Sequence, residues 1–308
     1  MNSSRSFMMD IIILGTISGL IYALIALGFS LIYGVSGVVN LTHGAFIMIG
    51  AYIFCELNKI FLSTLPVEFS QLSPILAILS TAVLTAIIGS IYYRLTLHQV
   101  LGDEVAILII SLFGCTIFQQ IIYLIFKPVW AAQYPVPTLI TGELTLLGVR
   151  VEVDKALAAI LSIISFIGLW VFTSRTKVGN ALRALSQDLE AAMLMGIDTA
   201  KMYMLAAGIA AGLASVGSVL KITSYAEPAS AFMWVEYMAY AFSIVILGGL
   251  GSVKGTVIGG LVFGYVHTIV ESRFPRLGAL MPIFPFIIII IMLIVRPKGF
   301  FGKRVEME

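Results

Sequence analysis

Residues 11–33 read IIILGTISGLIYALIALGFSLIY, twenty-three residues without a charge. At a rise of about 1.5 Å per residue such a helix is about 35 Å long, and a bilayer's hydrocarbon core is about 30 Å thick. Inside hydrocarbon every backbone N–H and C=O must find its partner within the protein, so a lone apolar run of this length reads as a membrane helix. It is too long for the core of a signal peptide, and no small-x-small cleavage pattern follows it cleanly. It is therefore expected to stay in place as the first span.

The same reading extends along the chain. Further apolar runs cover 41–54, 74–93, 105–126, 156–173, 202–220, 232–250, 255–270 and 277–295. The sequence thus predicts an all-α integral membrane protein, a polytopic bundle of about nine segments in one domain over 1–308. The second run is short and flanked by glycine, so a broken or re-entrant helix is expected there.

Composition supports this independently. Of the 308 residues, 60% are hydrophobic and 11% charged, with a mean hydropathy of +1.06. Soluble domains are about 45–50% apolar and about 25% charged, so this chain lacks the polar surface a soluble fold needs. The net charge is +2 and no basic run tracks a phosphate backbone, which sets nucleic acid aside. Cys55 and Cys115 lie in apolar stretches, where a thiol behaves as a small hydrophobe; their spacing suggests no metal site.

Two polar stretches interrupt the pattern. Residues 127–155 contain Pro128, Pro135, Pro137, Gly142 and Gly148 and are expected to form a structured extracytoplasmic loop. Residues 174–201 are the longest charged stretch. With nine spans the termini lie on opposite sides. The basic clusters Arg175/Lys177/Arg183 and Arg296/Lys298/Lys303/Arg304 share one of them, although the overall excess is slight. By the positive-inside rule that side is cytoplasmic, which puts the N-terminus outside and the C-terminus inside.

Residues 174–201 read SRTKVGNALRALSQDLEAAMLMGIDTAK. Leu182, Leu185, Leu189 and Met193 recur every three or four residues, one face of an amphipathic helix. Asn180, Arg183, Gln187, Asp188 and Glu190 occupy other faces. Gly196 is placed to end the helix in the left-handed conformation, and Asp198 stands where the next helix needs an N-cap. Such a helix either rests on lipid headgroups or docks a partner and transmits its motion to the spans.

The segment resembles the cytoplasmic coupling helix of ABC importer permeases, whose loose signature is Glu-Ala-Ala followed by Gly, here Glu190, Ala191, Ala192 and Gly196. It is most similar to the branched-chain amino acid permeases, with Arg183, Ala184, Asp188, Ala191, Ala192, Gly196 and Ile197 in that order. Further stretches match the same family. They are Tyr22 to Gly28, Asn40-Leu41-Thr42-His43-Gly44 with Gly50-Ala51-Tyr52, Leu247 to Ser252 with Gly255, and Arg296-Pro297-Lys298-Gly299. Many members carry an acid directly after His-Gly; this chain has Ala45 at that position.

The resemblance implies a permease that moves branched-chain amino acids inward. Its implied partners are a second permease in a heterodimer, two ATP-binding subunits and an extracytoplasmic solute-binding protein. The implied ATPase-coupling residues are Arg183, Leu185, Asp188, Glu190, Ala191, Ala192 and Gly196. ATP and Mg would belong to the partners, with no cofactor or metal in this chain and no catalytic residue. The residues agree: the glycine-rich stretch 248–255 fails as a phosphate loop, because Lys254 is followed by Gly255 rather than Ser or Thr.

Polar groups inside spans mark either a solute path or structural hydrogen bonds. Asn40 and His43, at the start of the short second run, are candidates for the path or for helix capping. Gln119 and Gln120 are candidates for the path or for interhelical bonds. Glu236, with Tyr237 and Tyr240 nearby, either lines the path or reaches interfacial water. His267 and Glu271, four apart, share a helix face. Gly251, Gly255 and Gly259, with Gly260 and Gly264 repeating the interval, allow close helix packing. Two other readings stay open: the same mechanism with urea, an amide or another amino acid, and a stand-alone secondary transporter or channel. The near-absence of charge at segment centres argues against ion coupling.

Overall fold

The computed structural model describes residues 2–126, 136–140, 142–296 and 299–301. The elements are α1 (Asn2–Ser36), α2 (Thr42–Thr64), α3 (Ser73–Leu95), α4 (Glu104–Phe126), β1 (Glu143–Leu146), β2 (Val149–Glu152), α5 (Val153–Arg175), α6 (Lys177–Leu185), α7 (Leu189–Leu194), α8 (Thr199–Ser224), α9 (Met233–Gly248), α10 (Val253–Arg273) and α11 (Phe284–Val295). Short 3₁₀ turns at Val67–Leu72, Leu97–Val100 and Pro275–Ile283 join neighbours. Among the described residues seven helices are long and apolar enough to cross a membrane. Two shorter apolar ones, Met233–Gly248 and Leu280–Val295, accompany them. The chain is a multi-pass membrane protein.

The expectation of an all-helical chain needs one amendment. Within the predicted loop 127–155, β1 and β2 form an antiparallel hairpin in the register Glu143↔Glu152 to Leu146↔Val149, closed by Leu147 and Gly148, both at positive φ. Asp154 anchors it. This buried carboxylate accepts the backbone N–H groups of Leu139 (3.1 Å) and Ile140 (2.6 Å). Residues 127–135 and 141 of that loop lie outside the described residues, as do 297–298 and 302–308 of the tail.

The helices run back and forth between two ends, one carrying the hairpin and one carrying α6 and α7. The core is built by α1 with α10 and by α8 with α1, α2 and α3. Small residues allow those approaches. A Cβ on Gly264 would strike the backbone of Gly19, and one on Gly260 would strike Ala23, which makes a close seam between α10 and α1. Gly255 and Gly259 face α9 instead, against Gly248 and Ile244. Gly251 sits in the α9–α10 turn against Gly34. The glycine stripe expected to serve one packing face therefore serves two adjacent ones.

The second segment is a correction. It is a continuous helix, Thr42–Thr64. Its last turns carry Glu56, Asn58 and Lys59, which ended the apolar run early. Lys59 and Glu56 pair on the surface at 3.3 Å, and the buried Asn58 accepts from the Ser73 hydroxyl at 2.8 Å. The break lies before the helix, at 37–41. There the chain turns back into the protein, so that His43 stands level with Ile25 in the middle of α1. Non-helical backbone at that depth needs internal partners, and α4 supplies them. Leu41 N–H donates to the Ser111 hydroxyl (3.1 Å), the Thr42 hydroxyl donates to Ser111 O (3.2 Å), and the Cys115 thiol donates to Leu41 O (3.2 Å).

Candidate functional site

At the hairpin end a cavity of about 210 Å³ opens between α1, α8, α9 and α10. Lys221, near the end of α8, is only 2% exposed there and is ion-paired with Glu227. A buried ammonium persists only when paired, and this one has further support: it lies 3.8 Å from the centre of the Tyr225 ring and 5.5 Å from that of Tyr22. Cations are attracted to such aromatic faces. Tyr237 donates its hydroxyl to the other oxygen of Glu227. Burial pushes the Tyr225 hydroxyl up to about 12, so it stays protonated and bonds with Ser18 on α1.

α9 and α10 add further acidic groups to the lining. Glu236 accepts from Tyr240 one turn along α9. On α10, His267 and Glu271 approach to 3.6 Å, and the Glu271 side chain is 61% exposed. Tyr22, Tyr240, Phe263 and His267 form one aromatic cluster with centroid separations between 5.1 and 6.5 Å. The Tyr22 hydroxyl is buried and has no hydrogen-bond partner among the described residues.

The structure therefore gathers Glu236, Tyr237, Tyr240, His267 and Glu271, which the sequence had placed on two separate helices. Lys221, Glu227 and Tyr22 were missed. Lys221 ends an otherwise small-residue helix, and its burial cannot be read from spacing; a lone Lys six residues before a Glu was the only available signal. The other candidates lie elsewhere. Asn40 accepts from Thr42 N–H at 3.0 Å, a local bond just ahead of α2. His43 donates Nε2–H to Ile25 O at 2.9 Å and packs against Phe29. Gln119 is buried and accepts from the Trp234 indole at 2.6 Å, while Gln120 faces outward. His43 and Gln119 tie helices together, and none of these three buried groups lines the cavity.

At the other end the single amphipathic helix expected over 174–201 is two helices, α6 and α7. The break has a local cause. Ser186 terminates α6, and the Asp188 carboxylate accepts from Ala191 N–H, so that it caps α7 instead of lying on a helix face. The expected apolar stripe is divided accordingly. Leu182 and Leu185 are buried against the bundle, whereas Leu189 and Met193 point out. Of the proposed coupling residues, Leu185 and Ala192 are thus buried supports, and Arg183, Asp188, Glu190, Ala191 and Gly196 are exposed. Leu194 (88% exposed) and Met195 (83%) extend the outward patch. The sequence pattern had assigned them no role.

The ends of this loop are as expected. Gly196 has φ +80°, and Ile197 N–H bonds Ala192 O at 3.1 Å, closing α7 in a Schellman-like turn. Asp198 caps α8 through Lys201 N–H at 3.1 Å. Its carboxyl lies below the ordinary value chiefly because the Lys201 side chain bonds it. α6 packs against α1, α5 and α8. Beside it the tail returns to the bundle: Phe300 N–H and Phe301 N–H donate to Leu247 O and Gly248 O at 2.9 and 3.0 Å. Those carbonyls end α9 and have no partner within the helix.

Comparison with known proteins then places this architecture. Residues 11–294 match the family model described as branched-chain amino acid transport system / permease component. The chain belongs to this family. Its relatives include the high-affinity branched-chain amino acid transport system permease protein BraD of Pseudomonas aeruginosa, 29% identical with 94% of each chain covered. The LivH permease protein of Escherichia coli K12 is 27% identical over 94% of each. The LivM permease protein of Salmonella typhimurium is 25% identical, over 91% of this chain and 67% of that protein. Among solved structures, PsaBC from Streptococcus pneumoniae in complex with Fab matches with a TM-score of 0.50 at 14% identity, covering 94% of this chain and 92% of that chain. That likeness speaks for the fold alone.

Proposed function

We propose that this chain is the membrane-spanning permease subunit of an ATP-driven importer for branched-chain amino acids. Family membership over 11–294 supports the class, and the names of BraD and LivH support the solute. All nine apolar helices, the two shorter ones included, would then cross the bilayer. The α6–α7 end would face the cytoplasm, and the hairpin end and N-terminus the outside.

The observation that carries the mechanism is the divided loop. Its inner half, Leu182 and Leu185, is buried against spans, and its outer half, Leu189, Met193, Leu194 and Met195, is an exposed apolar patch. Contiguous apolar surface on a polar loop marks a protein contact, and methionine adapts to varied partners. One of the two ATP-binding subunits docks there in this reading, with Arg183, Asp188 and Glu190 around the rim. Closure of the two subunits on ATP moves α6, and α6 moves α1, α5 and α8. ATP and Mg are held by those subunits, and this chain carries no catalytic step. A second permease, related as LivM is to LivH, completes the translocating pair, and an extracytoplasmic binding protein delivers solute.

Affinity purification from native membranes in mild detergent, followed by mass spectrometry, tests this reading. Recovery of ATP-binding subunits and a second permease is expected. A stable preparation of this chain alone that transports amino acids in liposomes without ATP refutes it.

A further inference from the structure

The cavity at the hairpin end holds one ammonium, that of Lys221, against three carboxylates, those of Glu227, Glu236 and Glu271. Lys221 and Tyr237 together satisfy Glu227. Glu236 and Glu271 have no Lys or Arg within ion-pair distance among the described residues, and Glu236 is only partly exposed. The buried Tyr22 hydroxyl, in the same lining, is a donor without an acceptor among the described residues. Lys221 engages one carboxylate oxygen and has donors to spare. Glu236 and Glu271 therefore lack a cation, and Lys221 with Tyr22 can receive an anion.

We propose that this cavity binds the charged head of an α-amino acid, its ammonium at Glu236 and its carboxylate at Lys221 and Tyr22. This rests on the importer reading and narrows it. The α-ammonium sits beside Glu236, with Glu271 at the mouth and the rings of Tyr22 and Tyr240, 5.5 Å apart, offering aromatic surface to the cation. The α-carboxylate accepts from the Tyr22 hydroxyl and from Lys221, whose pairing with Glu227 keeps the ammonium charged and fixed in place. The volume of about 210 Å³ is below the roughly 300–1,000 Å³ of drug-sized sites. It fits a head group, with the aliphatic side chain left toward the opening. A neutral solute such as urea or an amide would leave Glu236 and Glu271 without a cation, so the cavity selects a zwitterion among the solutes that the sequence left open.

The test uses the permease pair with its ATP-binding subunits in nanodiscs, without the extracytoplasmic binding protein, and reads tritiated L-leucine binding by scintillation proximity. Competitors are 4-methylpentanoate, which lacks the ammonium, isopentylamine, which lacks the carboxylate, and acetamide. The proposal expects leucine to bind, each half-ligand to compete at least tenfold more weakly than leucine, and acetamide not to compete. Glu236→Gln should weaken leucine at least tenfold, Glu236→Asp should recover part of that loss, and Tyr22→Phe should weaken leucine severalfold. Thermal midpoints report whether the variants fold; if Glu236→Gln does not, Glu236→Asp and Tyr22→Phe carry the test. No leucine binding by the wild type, binding by folded Glu236→Gln within twofold of wild type, or acetamide competing as well as leucine overturns the proposal. ATP-dependent leucine uptake in proteoliposomes separates the two levels. Wild-type uptake that Glu236→Gln leaves unchanged removes this site only, whereas no ATP-dependent uptake by the wild type removes the importer reading itself.

Discussion

Leu185 and Leu194 lie in the same loop, nine positions apart, and should fail in different ways. Leu185 is 4% exposed and Leu194 is 88% exposed. Truncating a buried leucine to alanine costs about 2–5 kcal/mol, a factor of at least about 30 in the folded-to-unfolded ratio. Leu185→Ala should therefore loosen α6 from α1, α5 and α8. Leu194→Ala changes the isolated permease by no more than about 0.5 kcal/mol, as is usual for surface positions. If Leu194 is covered when the ATP-binding subunit docks, it contributes about 1.5–3 kcal/mol there, which is a loss of roughly 10- to 100-fold in affinity on truncation. Hydrogen exchange of peptides covering 177–196 reads the first effect, and titration of the purified ATP-binding subunit reads the second. The reasoning fails if Leu194→Ala binds that subunit as tightly as wild type, or if Leu185→Ala leaves exchange in α6 unchanged.

Gly260→Val places a branched side chain against Ala23; because neither backbone can withdraw, the α1–α10 seam should open and the detergent-solubilised protein should lose its thermal transition or show it many degrees lower. Asp154→Ala leaves the amides of Leu139 and Ile140 without their acceptor. At about 1–3 kcal/mol for each buried group left unsatisfied, segment 136–140 should become protease-sensitive while the helices stay intact. The Asp198 cap should depend on pH. Its carboxyl lies below the ordinary value because Lys201 bonds it, so the cap is fully in place above the ordinary aspartate value of about 4 and is lost as pH falls through the lower folded value. Exchange at Lys201 N–H, corrected for its intrinsic rate, should accelerate on acidification in wild type and show no such dependence in Asp198→Asn.

The membrane class, the positions of the helices and the bounds of the surface loop were legible because they depend on local quantities. An uncharged run such as 11–33 can satisfy its backbone in hydrocarbon only as a helix, whatever lies beside it. Gly196 and Asp198 could be placed at helix ends because a cap bonds backbone groups within a few residues of itself. Long-range contact decided the rest. Asp188 divided the predicted coupling helix by capping α7, and contact with the bundle then set which apolar residues of the loop are buried, Leu182 and Leu185, and which point out, Leu189 and Met193. For Asn40 and His43 the sequence left path and structural bonding open; Asn40 meets the Thr42 amide, and only the approach of α1 gives His43 the Ile25 carbonyl. Lys221 and Tyr22 showed nothing in one dimension; α1 and α8 bring them beside Glu227 and Glu236 through close approaches at Gly28 and Gly217. Sequence by itself determined which segments prefer lipid to water, a property of each segment alone. Tertiary structure decided which polar side chains share a cavity, because that depends on how closely glycine and alanine let distant helices approach.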